Sequence, residues 1–329
     1  MYSEPQDLDR AQLVDALRRH WHIDAARVDY LPVGFGAHHW QAAGTDGSRW
    51  FVSTDDLRAG RHAGRDPDEG FAELDRAFRT AAMLRAIAGL EFVHAPVPSA
   101  DGDVLRRLDS RYTMRVEPFI DGAAAGSGDF ERSEDRRRVG TLVGRVHAAS
   151  GSVPPGLPGR EDFALPGRRE LEAALAQRET AWNTGPYGEP TRRLLAENAA
   201  GVLDRLRAYD RLVGRARDAP QTWVVTHGEP HSANVVRDSH GSLRLVDWDT
   251  ALIAPRERDL WMVLDAHGTG GDEYRRCAGW VPLNEDTLSL YRERWALAEI
   301  CEYVARFRRP HDETDDTRVA WAELGEYLP

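Results

Sequence analysis

The chain contains no lysine. All 43 of its Lys/Arg positions are arginine. That excludes every chemistry needing an ε-amine: Schiff bases, the lysine of a Walker-type phosphate loop, the Ser-Lys dyad. Cysteine is nearly as scarce. Cys277 and Cys301 are too few for a disulfide framework or a structural zinc site, and read as two idle thiols. No run approaches the roughly 20 apolar residues that span a bilayer, so no membrane association is expected. The opening residues Met1 to Asp7 are polar and acidic, without the basic and apolar parts of a secretory leader. A cytoplasmic location is therefore expected. There is also no internal repeat and no low-complexity tract.

What is present is a long, acidic chain. Its 329 residues are enough for two lobes and a sizeable core. The net charge is −11, and no basic patch interleaved with aromatics stands out, so nucleic acid is not an expected partner. An acidic protein attracts cationic small molecules at least as readily.

Apolar spacing predicts a helix over 8–21. Three short strands follow, around 28–33, 38–42 and 49–53, joined by the turn Gly34-Phe35-Gly36 and by Asp46-Gly47. Residues 58–69 read as a loop and 71–88 as a helix, with further strands near 103–108 and 111–117. Beyond residue 118 helices dominate: one ending at His147, then 169–183, 190–216, 272–279, 284–309 and 316–327. The stretch 151–167 reads as a loop, and two strands, 222–226 and 243–246, interrupt the helices. The organisation expected is a β-rich lobe over 1–118 followed by a helical lobe over 119–329.

Those two strands frame the informative segment, His227-Gly228-Glu229-Pro230-His231-Ser232-Ala233-Asn234 and then Leu245-Val246-Asp247-Trp248-Asp249. An apolar strand delivers the Glu229 carboxylate onto a loop. The Asn234 amide comes five residues later, and a second strand delivers Asp247 thirteen residues after that. One carboxylate that orients and deprotonates a hydroxyl, with an amide oxygen and a carboxylate that hold Mg²⁺ against nucleotide phosphates, is the part list of phosphoryl transfer. Hard oxygen ligands suit Mg²⁺, and no Cys/His spacing competes.

The segment resembles the catalytic signature of the aminoglycoside phosphotransferase family: His-Gly-Asp, four residues, Asn, then an apolar strand ending in Asp. Val246-Asp247-Trp248-Asp249 followed by Ala254-Pro255-Arg256-Glu257-Arg258-Asp259-Leu260 is similar to its spectinomycin/hygromycin phosphotransferase branch. The resemblance spans about residues 28–310 and implies an α+β, two-lobed, protein-kinase-like fold, with a small antiparallel-sheet lobe and a larger helical one. It implies catalytic roles for Glu229, Asn234 and Asp247, the last two as metal ligands. By the same resemblance Asp259 braces the catalytic loop, Gly34 and Gly36 cover the phosphates, and segment 116–119, with Glu117 and Phe119, receives the base. The implied reaction moves the γ-phosphoryl of ATP or GTP to a hydroxyl of an aminocyclitol, aminoglycoside or nucleoside-type antibiotic, with Mg²⁺, in resistance or self-protection. The implied acceptor is a cationic small molecule, and the protein is expected to be a monomer. Two other readings stay open: a housekeeping kinase of choline, homoserine or a sugar, and a catalytically silent kinase-like binding protein.

Three positions depart from the family pattern. Glu229 stands where the family has Asp, and Pro230 is read as resetting the loop to compensate. Ser53 stands where the third strand should end in a phosphate-gripping lysine. Thr80, or in another register Glu73, aligns with the glutamate that should pair with that lysine. Losing both halves together avoids a stranded buried charge. Arg58, Arg61 or Arg65 is read as the substitute cation, because guanidinium matches phosphate bidentately.

Other residues carry plainer expectations. His227 is a loop brace, bonded to backbone or to Asp259. His38, His39 and His231 are surface or edge residues, and Trp248 is packing. Asp249 is either a second-sphere or metal ligand or a solvated strand end. Asp312, Glu313, Asp315 and Asp316 form a solvated loop, with cation binding as their alternative. Asp265, Glu299 and Glu302 are candidates to face the acceptor pocket.

Overall fold

The computed structural model describes residues 1–62, 66–124, 126, 129–219, 221–279 and 282–328, the side chain of Arg61 excepted. The first lobe opens with helix α1 (Arg10–Trp21), started by an Asp9–Gln12 capping box. Strands β1 (Ala25–Leu31), β2 (Ala37–Gly44) and β3 (Arg49–Asp55) follow, then helix α2 (Pro67–Ala86), capped by Asp66 with proline at its first position. Strands β4 (Arg106–Arg107) and β5 (Thr113–Pro118) complete an antiparallel sheet of order β1-β2-β3-β5-β4.

Alternation along these strands sorts two faces. Val28, Trp40, Ala42, Val52, Met114 and Val116 pack against Leu13, Leu17 and Trp21 of α1. The residues between them, His39, Ser53, Asp55, Arg115 and Glu117, are polar, buried and on the opposite face.

The second lobe contains β6 (Gly122–Ala124), α3 (Ser133–Ala148), β7 (Gly159–Arg160), α4 (Arg168–Ala176), α5 (Gly188–Glu197) and α6 (Ala199–Asp218). Then come β8 (Trp223–Thr226), β9 (Val235–Asp238), β10 (Leu243–Leu245), β11 (Leu252–Pro255), α7 (Glu257–Val263), α8 (Gly271–Ala278), α9 (Glu285–Phe307) and α10 (Asp315–Tyr327). Its strands form two small sheets, β10-β9-β6 and β7-β11-β8. One core joins the lobes: Leu74, Phe78 and Leu84 of α2 meet Val139 and Val143 of α3 and Leu245 and Trp248 beyond β9. A second core lies among α4, α5, α6, α9 and α10. Among the described residues no helix is long and apolar enough to cross a membrane.

The α+β, kinase-like architecture is as expected. The helix expected over 190–216 is two helices, broken at Asn198, whose amide caps Leu194 C=O at 2.9 Å. The helix expected over 169–183 stops at Ala176. The loop at 151–167 hides β7, while β6, β9, β11 and α7 are too short for periodicity to reveal.

Candidate active site

The loop expected to be catalytic leaves the end of β8, where Thr226 pairs with Leu252 of β11. Its first two N–H groups, of His227 and Gly228, both donate to the Asp259 carboxylate of α7, at 2.9 and 2.7 Å. Asp259 is 0 % exposed and also takes a hydrogen bond from His147 Nε2 at 3.0 Å. His147 is fixed in turn by Tyr274 Oη at 2.9 Å. Burial works to raise the Asp259 pKa, but the hydrogen bond with His147 and the positive charge of Arg258 carry it below its ordinary value. Asp259 thus ties the start of the loop to α7, and His147, the last link, carried no sequence signal.

Gly228 has φ +103°, and a Cβ there would collide with the Arg258 guanidinium and lie 2.5 Å from Thr250 Oγ1. Only glycine fits both the dihedral and the space.

His227 is buried and neutral, because burial lowers its pKa. Its Nδ1 accepts the Glu229 N–H at 3.2 Å, so its Nε2–H donates to Val246 C=O at 2.8 Å. One imidazole thus ties the Glu229 backbone to the residue before Asp247. Val246 N–H in turn donates to Asn234 C=O at 3.0 Å. With Val246 held on both sides, Asp247 follows at φ +62°, a left-handed conformation that Asp tolerates better than most side chains. Its carboxylate is exposed, while Trp248 behind it is buried, as expected for packing.

Asn234 Nδ2 donates to Glu229 C=O at 2.9 Å and lies 3.4 Å from His231 Nε2. With its amide nitrogen committed there, the Oδ1 atom is directed elsewhere, as an ion ligand requires. His231 Nε2 stands 4.0 Å from Glu229 Oε2. Burial pushes the His231 pKa down to about 4, so at neutral pH this is a polar contact and not an ion pair. His231 is half-buried and not the surface residue expected.

In the first lobe Gly34 and Gly36 form the turn between β1 and β2, at φ +68° and +90°. A Cβ on Gly36 would meet nothing within 4 Å, so its backbone borders open space. Ser53 is fully buried and bonded to His39 Nδ1 at 3.0 Å. His39 was expected at the surface or an edge. It is buried on the polar face of the sheet, stacked on Phe51 at 4.8 Å, and burial with the nearby Arg115 holds it neutral. Arg115 Nη1 donates to Asp55 at 2.6 Å and its Nε to Glu117 at 3.2 Å. Burial raises the Glu117 pKa against the pull of Arg115, and its Oε2 is buried without a hydrogen-bond partner. Phe119, just past β5, is half-buried, with the Arg49 guanidinium 5.0 Å from its ring.

Of the expected substitute cations, Arg58 alone has a described side chain. Arg58 is exposed and turned toward Ser110, 3.4 Å away, while Arg65 and the Arg61 side chain lie outside the described residues. Thr80 is buried and donates to Arg76 C=O at 2.7 Å, and Glu73 sits on the exposed face of α2.

Toward α9, His231 meets the Trp295 ring edge-on at 5.9 Å, and Trp295 Nε1 donates to Tyr327 Oη at 3.3 Å. Glu299 follows one turn along α9, its pKa raised to about 7 by burial and by Glu302 and Glu323. Glu302 pairs with Arg306 at 3.0 Å. Asp265 braces its own turn by accepting the His267 and Thr269 N–H groups, each at 2.9 Å. Asp316, expected in a solvated loop, is instead buried in the first turn of α10 and accepts the Tyr2 and Ser3 N–H groups at 2.7 and 3.0 Å. Asp312, Glu313 and Asp315 are exposed, and Asp249 is half-buried.

Among the described residues no three His, Cys, Asp or Glu side chains gather as a metal cluster. Asn234 is buried and Asp247 exposed, and both carry the hard oxygen atoms that suit Mg²⁺.

Comparison with known proteins bears on the family and the fold. The sequence profile described as the phosphotransferase enzyme family matches residues 41–279. Protein StrN of Streptomyces griseus is 32% identical over 271 residues, which is 78% of this chain and 79% of that protein. A spectinomycin phosphotransferase solved with ADP and spectinomycin superposes with a TM-score of 0.74 at 18% identity, covering 98% of this chain and 95% of that one. An amicoumacin kinase in complex with AMP-PNP and Ca²⁺ superposes at 0.60 and 15% identity, covering 98% and 92%. The choline kinase LicA of Streptococcus pneumoniae superposes at 0.57 and 13%, covering 97% and 98%.

Proposed function

The chain belongs to the phosphotransferase enzyme family, and from that premise we propose a Mg²⁺-dependent kinase of a cationic antibiotic-like small molecule. The donor is ATP or GTP, and the acceptor hydroxyl belongs to an aminocyclitol, aminoglycoside or nucleoside-type compound. One observation carries the reading: Glu229, Asn234 and Asp247 are tied to one another through the His227–Val246–Asn234 hydrogen bonds. That linkage holds a base and two hard-oxygen ligands on a single rigid unit.

Residues 1–118 hold the nucleotide, under the Gly34–Gly36 turn and along Glu117 and Phe119. Residues 119–329 supply the loop and the acceptor wall. The Glu229 carboxylate orients the acceptor hydroxyl and takes its proton as the oxygen attacks the γ-phosphorus. The new O–P bond forms as the bond to the nucleoside diphosphate breaks, and the diphosphate leaves. Asn234 Oδ1 and the Asp247 carboxylate would hold the ion, which when bound offsets phosphate charge. Glu299, Glu302 and Glu323, beside the Trp295 and Tyr327 rings, suit a cation that also offers apolar faces.

The test is nucleotide consumption across a panel of aminocyclitol, aminoglycoside and nucleoside antibiotics plus choline, homoserine and sugars, with Glu229→Gln as control. Acceptor-dependent turnover lost in the control supports the reading. Equal behaviour of the two proteins removes Glu229 from its role, and turnover confined to choline, homoserine or sugars makes this a housekeeping kinase.

A further inference from the structure

We propose that Arg115, on β5, supplies the phosphate-side positive charge that β3 lacks, and that with Asp55 it forms the family's cation–carboxylate pair rebuilt within the sheet. The inference rests on the nucleotide-dependent reading above and names a residue that reading leaves open.

The register is the first ground. Ser53 of β3 stands directly opposite Arg115 of β5. Residues so paired project from the same face and lie about 5 Å apart. The cation has therefore moved one strand sideways while keeping its level along the cleft. An arginine arm is long enough to cover that displacement, and its fork suits phosphate oxygens.

The second ground is the way the group is held. Arg115 is 4 % exposed, and its guanidinium lies 4.4 Å from the Phe78 ring centroid. Nη1 is bound by Asp55, which Thr113 Oγ1 also anchors at 2.9 Å, and Nε is bound by Glu117. Nη2 makes no hydrogen bond with a described residue. Helix α2 offers Phe78 and Thr80 here, so the carboxylate that must accompany a buried cation comes from Asp55, two residues beyond Ser53.

The third ground is proximity. Asp247 and Asp249 of the second lobe lie near enough for their charges to act on Arg115, as those of its two sheet partners do. In a chain without lysine, arginine is the side chain left for a permanent charge at this spot.

Calorimetric titration of ADP and a non-hydrolysable ATP analogue with Mg²⁺ tests this, with thermal unfolding of each variant. Arg115→Met alone removes the buried cation from beside Asp55, so the double variant Asp55→Asn/Arg115→Met, which removes that pair together, serves as the folded reference. It should bind nucleotide about tenfold or more weakly, with a raised nucleotide KM and an acceptor KM close to wild type. Ser53→Lys/Arg115→Met returns the charge to β3 and should recover most of the lost affinity. A folded double variant with wild-type affinity overturns the proposal, and so does a loss that Ser53→Lys/Arg115→Met does not recover. If the wild-type protein binds no nucleotide, the phosphotransferase reading falls first and this one with it.

Discussion

Asp259 holds His227 by its backbone: the buried carboxylate accepts the His227 N–H at 2.9 Å and the next N–H at 2.7 Å. Replacing it with Asn turns one acceptor oxygen into a donor facing donors. Asp259→Asn should lower stability by about 2 kcal/mol and reduce kcat more than nucleotide affinity. The sign with pH follows from a folded pKa below the ordinary 3.8. The carboxylate stabilises fully above about pH 4, and that contribution is lost as pH falls through its lower folded value. Urea midpoints taken from pH 6 to pH 2 should show this acid-side loss in the wild type and a smaller one in the variant.

Gly228→Ala should be among the most damaging small substitutions in the chain. The added methyl needs space taken by Arg258 and Thr250, and φ +103° is strained for any L side chain. A loss of about 2 kcal/mol or more in chemical denaturation is expected, with activity falling further than stability explains. A Gly36→Ala control has equal dihedral strain but no collision, so it should cost less stability.

Glu229→Gln keeps the shape of the side chain and removes its basicity. It should lower kcat by about 100-fold or more while nucleotide affinity and melting temperature stay near wild type. Glu229→Asp restores the family's residue type but withdraws the carboxylate by about 1 Å from a loop built around Glu. A loss of about 10- to 100-fold is expected in steady-state kinetics.

Glu299 should make stability fall with rising pH. Its folded pKa, about 7, lies above the ordinary 4.5, chiefly because of burial. The folded protein thus holds a proton the unfolded chain has released, and that stabilisation fades between about pH 4.5 and 7. Glu299→Gln should flatten the dependence and be the more stable protein at pH 8. If a cationic acceptor binds beside it, proton release on binding should appear near pH 7 as a buffer-dependent calorimetric heat, absent in the variant.

The run from Glu229 to Asp247 stands out in the sequence because its pattern is local: two strand-delivered carboxylates and an amide at fixed spacing. Asp259 stands out only through its match to the family pattern, and Trp248 is buried as a packing residue would be. Arg115 does not stand out, because its meaning lies in what stands opposite on the next strand, and a single sequence does not give register. His39 and Asp316 reveal another gap. Both look solvated by composition, yet one lies under the glycine turn and the other receives two backbone N–H groups from the far end of the chain. The break at Asn198 left no trace because an asparagine amide, without glycine or proline, ends one helix there.

Asn234 and Asp247 bracket the β9–β10 hairpin, whose strands pair Leu245 with Val235 and whose mouth is closed by the Val246–Asn234 bond. A change in the angle between the lobes would carry both residues along as a single block. An ion held by them would keep its protein ligands fixed, and the spacing altered would be the one to the glycine turn above.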